Sequence, residues 1–266
     1  MPPEPAPAAP DDGARRLAAA VAARARRRGL RVDLDRLRYA NAHVYGAAGP
    51  RPERSLYVGV GHGHDALLAL LDGLTGAVVG VDPYVGRDGN DDADHRALVD
   101  LCRALDLGSR FVVERATIED YLASASASAS GRFDLIVCND VLHHVFTTAA
   151  PLSASPLFGA ATELFRRFAA AARPGARLAL SEVQRHGLRP LVHRLGLAGG
   201  AVDYRTKQPW REWCRAAEAA GWRRVDLVNY VPFALRGTAA MWRGGLGRVT
   251  LCDRYFLHFQ LGAAGA

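Results

Sequence analysis

Glycines and a carboxylate follow two predicted strands at a spacing that could bind a nucleoside. Gly59, Gly61 and Gly63 form a turn directly after a short apolar run. Glycine lets the backbone turn tightly and lets a ligand approach the main chain. Asp82 ends the next apolar run, 19 residues after Gly63. A carboxylate in that position can accept hydrogen bonds from ribose hydroxyls, so the spacing predicts a nucleoside site.

A second chemical feature is the pair His62 and His64, which is followed by Asp65. Imidazole and carboxylate groups are metal ligands in proteins. Neighbouring positions on one turn rarely converge on a single ion without a distant further ligand, so we expect no metal site. We expect His64 or Asp65 to start or cap the next helix instead.

Two more histidines, His143 and His144, lie just past another predicted strand. Ligand sites cluster at strand ends in open α/β sheets. We interpret one of these histidines as the candidate catalytic base, because imidazole titrates near neutral pH. The alternative is that the histidine only forms a hydrogen bond and shapes the pocket.

The elements that must position these residues alternate between apolar strands and helical patterns. Predicted strands cover residues 55–61, 77–82, 110–116, 133–140, 177–183, 225–231 and 255–261. Predicted helices cover residues 33–45, 64–74, 92–106, 158–173 and 208–222. Continuous apolar strands that alternate with helices are typical of a parallel sheet covered on both faces. The sequence therefore predicts an α/β fold with a seven-stranded, mostly parallel sheet.

Composition divides the chain into three parts. Residues 1–13 are rich in Pro and Ala and are predicted to be a disordered tail. Residues 14–48 are predicted to form an N-terminal helical extension or lid, and residues 49–266 the main domain. An irregular insertion at 186–208 is expected to form a substrate wall.

Within and after this insertion, His186 and Tyr204 are the candidate substrate-binding residues. Trp210 and Trp213 would share one helix face, and core packing is the expected role of at least one of them.

Charge and cysteine content bound the function further. The net charge is +7, and residues 1–40 hold nine Arg against five acidic residues, so the remainder is close to neutral. Nucleic-acid binders concentrate basic residues on their working face, whereas here the concentration is at the N-terminus, so we expect no nucleic-acid partner. An RNA-associated role of the N-terminal arginines remains an alternative. The four cysteines include no CxxC pair, which indicates reduced thiols. The sequence shows neither a signal peptide nor a long apolar run. Together these features predict a cytoplasmic enzyme that is not bound to a membrane.

Four motifs in order resemble those of the Rossmann-fold (class I) S-adenosylmethionine-dependent methyltransferases. They are LYVGVGHG, VVGVD, FDLIVCNDVLHHV and ARPGARLALSEV, and together they span roughly residues 50–185. The resemblance implies a Rossmann-like fold, S-adenosyl-L-methionine as cofactor, and methyl transfer to a small molecule. The expected setting is specialised metabolism. A nicotinamide oxidoreductase is disfavoured, because the sequence lacks a second mononucleotide-binding half.

The resemblance also implies roles for individual residues. The glycines would hold the amino-acid end of the cofactor, and Asp82 would bind the ribose. The other cofactor-binding candidates are Tyr84 beside the ribose or adenine, Thr117, Ile118 and Glu119 at the adenine, and Asn139 and Asp140 beside the methionine portion. His143 or His144 would face the substrate.

One position departs from the family pattern. The family carries Asp or Glu two residues before the first glycine, where this carboxylate helps to hold the cofactor's ammonium group, whereas this chain has Tyr57. Asn139, a backbone carbonyl or water could replace that carboxylate. Alternatively, an amine without a carboxylate partner is less protonated and more nucleophilic. The chain would then be a cyclase, or a related aminocarboxypropyl transferase, that releases methylthioadenosine.

Overall fold

The strands and helices of the computed structural model follow the alternation that the sequence predicts. The structure describes residues 33–46, 49–86, 90–124, 132–195, 203–242 and 254–262, together with positions 15 and 19. The predicted tail at 1–13, most of the predicted extension before residue 33, and residues 196–202 of the predicted insertion lie outside the described residues.

Seven strands form the sheet. They are β1 (Arg54–Val58), β2 (Ala77–Val81), β3 (Phe111–Glu114), β4 (Phe133–Asn139), β5 (Ala172–Val183), β6 (Trp222–Asn229) and β7 (Arg254–Leu261). The α-helices are α1 (Leu34–Tyr45), α2 (His64–Leu71), α3 (Asp92–Ala104), α4 (Ile118–Ala123), α5 (Leu142–Val145), α6 (Leu157–Ala171), α7 (Leu188–Arg194) and α8 (Trp210–Ala219). Two 3₁₀ segments, Leu152–Ala154 and Phe233–Trp242, complete the described elements.

The strand order places a ligand crevice at the middle of the sheet. The order is β3-β2-β1-β4-β5-β7-β6, and β7 runs antiparallel to both of its neighbours. The chain moves outward from β1 to β3 and then returns to the other side of β1 as β4. Ligands bind at such a reversal, outside the carboxyl ends of the strands. The crevice therefore lies where β1 and β4 end.

Alternation along the strands divides the core between the two faces of the sheet. In β1, Leu56 and Val58 join one apolar cluster with α6 and α8, whereas Tyr57 joins the other with α2 and α3. All three side chains are buried. Burial of both sheet faces is what the continuous apolar strands predict.

Helix α1 lies against this domain and is fixed by polar contacts. Asp33 caps its first turn by accepting from the Arg36 N–H. Arg38 forms two 2.8 Å hydrogen bonds to Asp72 at the end of α2. Asn41 donates to the Asp65 carbonyl at 2.9 Å. These contacts hold α1 beside the start of α2.

Several element boundaries differ from the prediction by a few residues, and two of these differences have an identifiable physical reason. The predicted helix 158–173 ends at Ala171, and Ala172 already pairs with Phe133 of β4. The register shifts before the next pair, so a bulge accommodates Pro174, which has no N–H, and Gly175, with φ of +77°.

The second difference concerns β6, which begins at Trp222, although the prediction placed it at 225 and ended a helix at 222. Gly221, with φ of +91°, stops the helix. The Trp222 indole then packs in the core and donates to the Phe165 carbonyl at 2.9 Å.

Among the described residues, no helix has both the length and the apolar character that a membrane crossing requires.

Candidate active site

The glycine turn after β1 is held in place from β2. The Gly59 and Val60 N–H groups donate to the Val81 carbonyl at 2.8 and 3.2 Å. Gly59 has φ of +67°, and a Cβ added there would lie 2.4 Å from Cγ2 of Val141. Only glycine fits this position, because both the backbone angle and the space exclude a side chain.

Asp82, at the end of β2, organises the same turn. Its Oδ2 accepts from the Gly61 N–H at 3.0 Å, and its Oδ1 accepts from the Tyr84 N–H at 2.9 Å. Asn90 donates weakly to Oδ2 at 3.4 Å. The carboxylate is therefore buried, fixed, and still able to accept further hydrogen bonds through its remaining lone pairs.

Tyr84 supports the glycine turn through its side chain. Its hydroxyl donates to the Gly61 carbonyl at 2.7 Å, and its ring is buried against His95. The neighbouring residues Pro83 and Val85 line the cavity beside Asp82, and the Tyr84 side chain does not belong to that lining. The Tyr84 phenol holds Gly61, and the expected contact of Tyr84 with ribose or adenine stays a prediction.

A cavity of about 500 Å³, here called the β2-side cavity, opens between the ends of β1, β2 and β4. It brings together most of the predicted cofactor residues: Gly59, Asp82, Thr117, Ile118, Glu119, Asn139 and Asp140. Thr117 caps α4 by accepting from the Asp120 N–H, which brings the start of α4 to the cavity wall. Val85 and Asn90, which the sequence analysis did not single out, complete the wall.

A second cavity, of about 460 Å³, lies on the α1 side of the glycine turn and is here called the α1-side cavity. Its lining comes from α1, the turn, α2, β4, β5 and β7: Asp33, Arg36, Leu37, Ala40, Val60, His62, Gly63, His64, Asp65, Asn139, Asp140, Ser181, Tyr230, Arg254 and Phe256. Asn139 and Asp140 line both cavities, so the two spaces adjoin at the end of β4.

Asp140 is the junction residue of the two cavities. It has φ of +51°, an unusual backbone angle for a non-glycine residue, and forms an ion pair with Arg254 of β7. Burial raises the pKa of its carboxyl, whereas the charge of Arg254 opposes this rise. Its Oδ1 is buried and accepts no hydrogen bond from the described residues. A buried acceptor without a donor is costly, and a bound ligand could supply the donor.

The two predicted catalytic histidines differ in their surroundings. His143 is buried, and its Nδ1 lies 2.5 Å from Oε2 of Glu182. Glu182 also accepts from the Leu142 N–H at 2.8 Å, so this carboxylate fixes the start of α5. His144 is exposed, lines the β2-side cavity, and stacks on His143 with ring centroids 4.0 Å apart. His144 therefore lines the β2-side cavity, whereas His143 lines neither of the two cavities described here.

His62 and His64 lie on the α1-side cavity. His64 is the first residue of α2, as predicted, and burial lowers its pKa to about 4, so its imidazole is neutral at pH 7. His62 is directed instead towards Asp94, with 3.5 Å between Nε2 and Oδ1. Within the described residues, no group of three or more His, Cys, Asp or Glu side chains is arranged to hold a metal ion.

Two residues of the predicted substrate wall, His186 and Tyr204, fall within the described part of the chain. His186 is exposed after β5, and Tyr204 is buried edge-on against His193. Neither residue belongs to the lining of the cavities described above. Trp213 is fully buried in the core, and Trp210 is partly buried beneath Arg224, so both tryptophans pack the domain.

Tyr57 is buried in β1, and its hydroxyl lies 2.7 Å from that of Tyr45 in α1. Burial raises the pKa of Tyr45 to about 12 and that of Tyr57 well above its ordinary value. Both phenols therefore stay protonated, and neither supplies a negative charge. Asp65 lies nearby in the first turn of α2, and the sequence analysis gave it no role beyond capping. No signal in its local sequence marks it as part of the site.

A family model described as a methyltransferase domain matches residues 23–227, which is more than half of the chain. No curated protein matches the sequence.

Solved structures share the fold at low sequence identity. A SAM dependent methyltransferase from Archaeoglobus fulgidus is 15% identical, with a TM-score of 0.53 over 85% of this chain and 91% of that one. The (4+2)-cyclase SpnF is 14% identical, with a TM-score of 0.56 over 86% and 82% of the two chains. Geranyl diphosphate C-methyltransferase from Streptomyces coelicolor A3(2), in complex with S-adenosyl-L-homocysteine, is 14% identical, with a TM-score of 0.54 over 85% and 78%. At this identity the likeness concerns the fold alone.

Proposed function

Because the chain belongs to the methyltransferase domain family, we propose that it methylates a small molecule. S-adenosyl-L-methionine is the cofactor of this domain, and when bound it supplies an electrophilic methyl group on a sulfonium. The observation that carries the proposal is the joint placement of the glycine turn, Asp82 and Asn139 around one cavity. The proposed setting is specialised metabolism in the cytoplasm.

The residues present fit this cofactor. The β2-side cavity has the size of a small-molecule site and carries a buried carboxylate, Asp82, able to accept from ribose hydroxyls. Gly59 presents bare backbone at this wall, because Val141 leaves no space for a Cβ. At the other end, Asp140 offers a buried acceptor without a donor. We assign the nucleoside to the β2-side cavity, with Asp82 and Thr117 on its wall, and the amino-acid end to the junction at Asn139.

In this proposal the protein contributes alignment and exclusion of water. Asp82 and Tyr84 hold Gly61 from both of its backbone groups, so the turn is formed before the ligand binds. Holding reactants in one orientation lowers the barrier by up to about 7–11 kcal/mol in well-oriented systems. Helix α1 covers the crevice through Leu37 and Ala40, and so limits access of water to the reacting groups.

We assign the acceptor to the α1-side cavity. Leu37, Tyr230 and Phe256 give its wall apolar surface, while Arg36 and Arg254 bring positive charge. This lining suits a small molecule with an apolar or aromatic body. His144 remains the proposed base for an acceptor hydroxyl or protonated amine, whereas the buried contact with Glu182 gives His143 a positioning role. His186 and Tyr204 line neither cavity. They remain proposed substrate contacts on the condition that the segments that carry them move towards the α1-side cavity.

Product analysis tests the proposal. The purified chain is incubated with S-adenosylmethionine, alone and with panels of phenols, amines and carboxylic acids, and the products are identified by mass spectrometry. We expect S-adenosylhomocysteine and a methylated product only when an acceptor is present. Asp82→Ala serves as the control and should form neither product. A wild-type chain that does not bind S-adenosylmethionine in calorimetry would refute the proposal.

A second candidate rests on Tyr57. Without a carboxylate at that position, the cofactor's amine could be uncharged and attack the carbon next to sulfur in its own molecule, with methylthioadenosine as the leaving group. The same experiment separates the two reactions, because this rival releases methylthioadenosine from S-adenosylmethionine alone.

The RNA-associated alternative depends on arginines before residue 33, which lie outside the described residues. Salt-sensitive RNA binding that is lost on deletion of residues 1–31 would support it.

A further inference from the structure

Among the described residues, Asp65 is a partly buried carboxylate of the α1-side cavity with no cation beside it. The three acidic residues of this cavity are Asp33, Asp65 and Asp140. Asp140 is paired with Arg254, and Asp33 is exposed and caps α1. For Asp65, the described groups that act on the carboxyl are backbone N–H groups and the Asn139 amide, and none of them is a cation. Burial raises the pKa of Asp65 as a result.

Hydrogen bonds fix the direction of this carboxylate. Oδ1 of Asp65 accepts from the Ala66 N–H at 2.9 Å, and Oδ2 accepts from Nδ2 of Asn139 at 3.1 Å. Asn139 is itself oriented, because its Oδ1 accepts from the Ser181 hydroxyl at 3.2 Å. The carboxylate thus lies beside the cavity junction, with lone pairs left for a further donor.

The two neighbouring phenols do not compete for this role. Tyr45 and Tyr57 donate and accept between themselves, and both are acted on by the charge of Asp65. Since both remain protonated, the negative charge that acts on Tyr57 comes from Asp65. The Asp65 side chain is partly buried. A carboxylate withdrawn from water without a cation is unfavourable, and binding of a cation there would relieve this cost.

We propose that Asp65 binds the ammonium group of S-adenosylmethionine and so replaces the carboxylate that the family carries at the position of Tyr57. This assignment rests on the proposed function. An amine at this position has an ordinary pKa near 8, and a carboxylate partner keeps it protonated. A protonated amine is not a nucleophile, so the contact favours methyl transfer over the intramolecular cyclisation that Tyr57 alone suggests.

Calorimetry with three ligands tests the assignment. S-adenosylmethionine and S-adenosylhomocysteine carry the ammonium group, whereas methylthioadenosine lacks the amino-acid portion. We expect Asp65→Asn to weaken binding of the first two ligands by about 10- to 100-fold, because a charged hydrogen bond is lost. Binding of methylthioadenosine should change by less than about twofold. The matched control is Asp92→Asn, which removes another first-turn carboxylate that pairs with Arg115 on the surface.

Wild-type protein supplies an independent readout if Asp65→Asn does not fold. The deaminated analogue of S-adenosylhomocysteine should bind wild-type protein about 10- to 100-fold more weakly than the parent compound. Equal binding of parent and analogue would overturn the assignment. Unchanged S-adenosylmethionine affinity in Asp65→Asn, or an equal loss for methylthioadenosine, would do the same. A wild-type chain that binds no S-adenosylmethionine would overturn the proposed function first, and the assignment with it.

Discussion

The carboxylate at the end of β2 accepts hydrogen bonds from two separate loops. Asp82 accepts from the N–H of Gly61 in the turn and from the N–H of Tyr84 in its own loop. Tyr84 returns a hydrogen bond to the Gly61 carbonyl. The three residues form a closed set of contacts that connects the turn after β1 with the loop after β2. The proposed ribose contact is therefore made by a group whose position is already determined.

Loss of this carboxylate should weaken cofactor binding severely. For Asp82→Ala we expect at least about a 100-fold lower affinity for S-adenosylmethionine, because a ligand contact and the support of Gly61 disappear together. Calorimetry measures the effect. Asp100→Asn, which alters an exposed carboxylate paired with Arg103, is the control. Unchanged affinity in Asp82→Ala would show that the ribose assignment is wrong.

Two glycines with similar backbone angles should respond differently to alanine. Gly59 and Gly73 have φ of +67° and +70°, but a Cβ would meet Val141 at Gly59 and nothing within 4 Å at Gly73. We expect Gly73→Ala to cost about 1–2 kcal/mol of unfolding free energy from backbone strain. Gly59→Ala should cost about 1–3 kcal/mol more from overpacking. Urea denaturation measures both, and equal losses would contradict the contact with Val141.

Some residues of this site can be predicted from the sequence, and others cannot. The glycines and Asp82 are predictable, because turn and strand-end positions have a recognisable spacing. Asp65 is not, since its partner Asn139 lies 74 residues away and their hydrogen bond depends on how α2 and β4 meet. The same holds for Arg254, which reaches Asp140 across 114 residues. Such pairs arise from the sheet order, which no local pattern specifies.

At the scale of elements, α1 packs on the sheet through His43, whose Nε2 atom is buried and has no hydrogen-bond partner among the described residues. His43 stacks on Phe256 with ring centroids 5.1 Å apart. Burial and the neighbouring His258 lower the pKa of His43 to about 4. Its aromatic neighbours Tyr39 and Tyr230 carry no charge that would favour the imidazolium.

Acidification should therefore loosen the packing of α1. The folded-state pKa of His43 is about 4 against 6.5 in the unfolded chain, so the unfolded state binds more protons between these values. Stability is complete above pH 6.5 and falls as the pH decreases towards 4. Between pH 7 and pH 5 we expect His43 to account for roughly 1–2 kcal/mol of lost unfolding free energy.

The variant His43→Phe isolates this contribution. His64 and His258 have lowered pKa values as well, so the variant should reduce the pH dependence without abolishing it. Urea denaturation at pH 7 and pH 5 measures the difference, and His186→Gln, at an exposed position, is the control. A pH dependence identical to that of the wild type would contradict the burial of His43.

The elements themselves are largely predictable, because apolar strands and amphipathic helices leave clear periodicities. The short helix α4 is not predicted, since six residues span fewer than two turns. The sequence analysis also misses the start of β5 at Ala172, because the RPG sequence indicates the end of a helix. In the structure a bulge includes these residues in the strand, and that bulge depends on pairing with β4. Local signals thus determine the type of an element better than its ends.

At the scale of the whole molecule, the seventh strand is inserted between two earlier ones. β7 pairs with β5 on one side and with β6 on the other, from Arg254 to Leu261. Its side chains Tyr255, Leu257 and Phe259 are buried in the main apolar cluster. The half of the sheet beyond β5 therefore cannot pair until β7 is present.

Removal of β7 should prevent folding of the domain. A chain that stops before residue 254 would leave β5 and β6 without the backbone partners that they share and would expose their apolar side chains. We expect an insoluble protein or one without a cooperative thermal transition in circular dichroism. A chain that lacks only residues 263–266 is the control for shortening. Cooperative unfolding of the shorter chain would contradict the central role of β7.

The ion pair between Asp140 and Arg254 can form only late in protein synthesis, because Arg254 lies on the last strand of the chain. The ribosome makes Arg254 only after the other six strands, yet this residue completes the junction of the two cavities. A nascent polypeptide interrupted by a premature stop codon would lack both the strand and the guanidinium. We therefore expect such a polypeptide to lack the junction of the two cavities as well as a complete sheet.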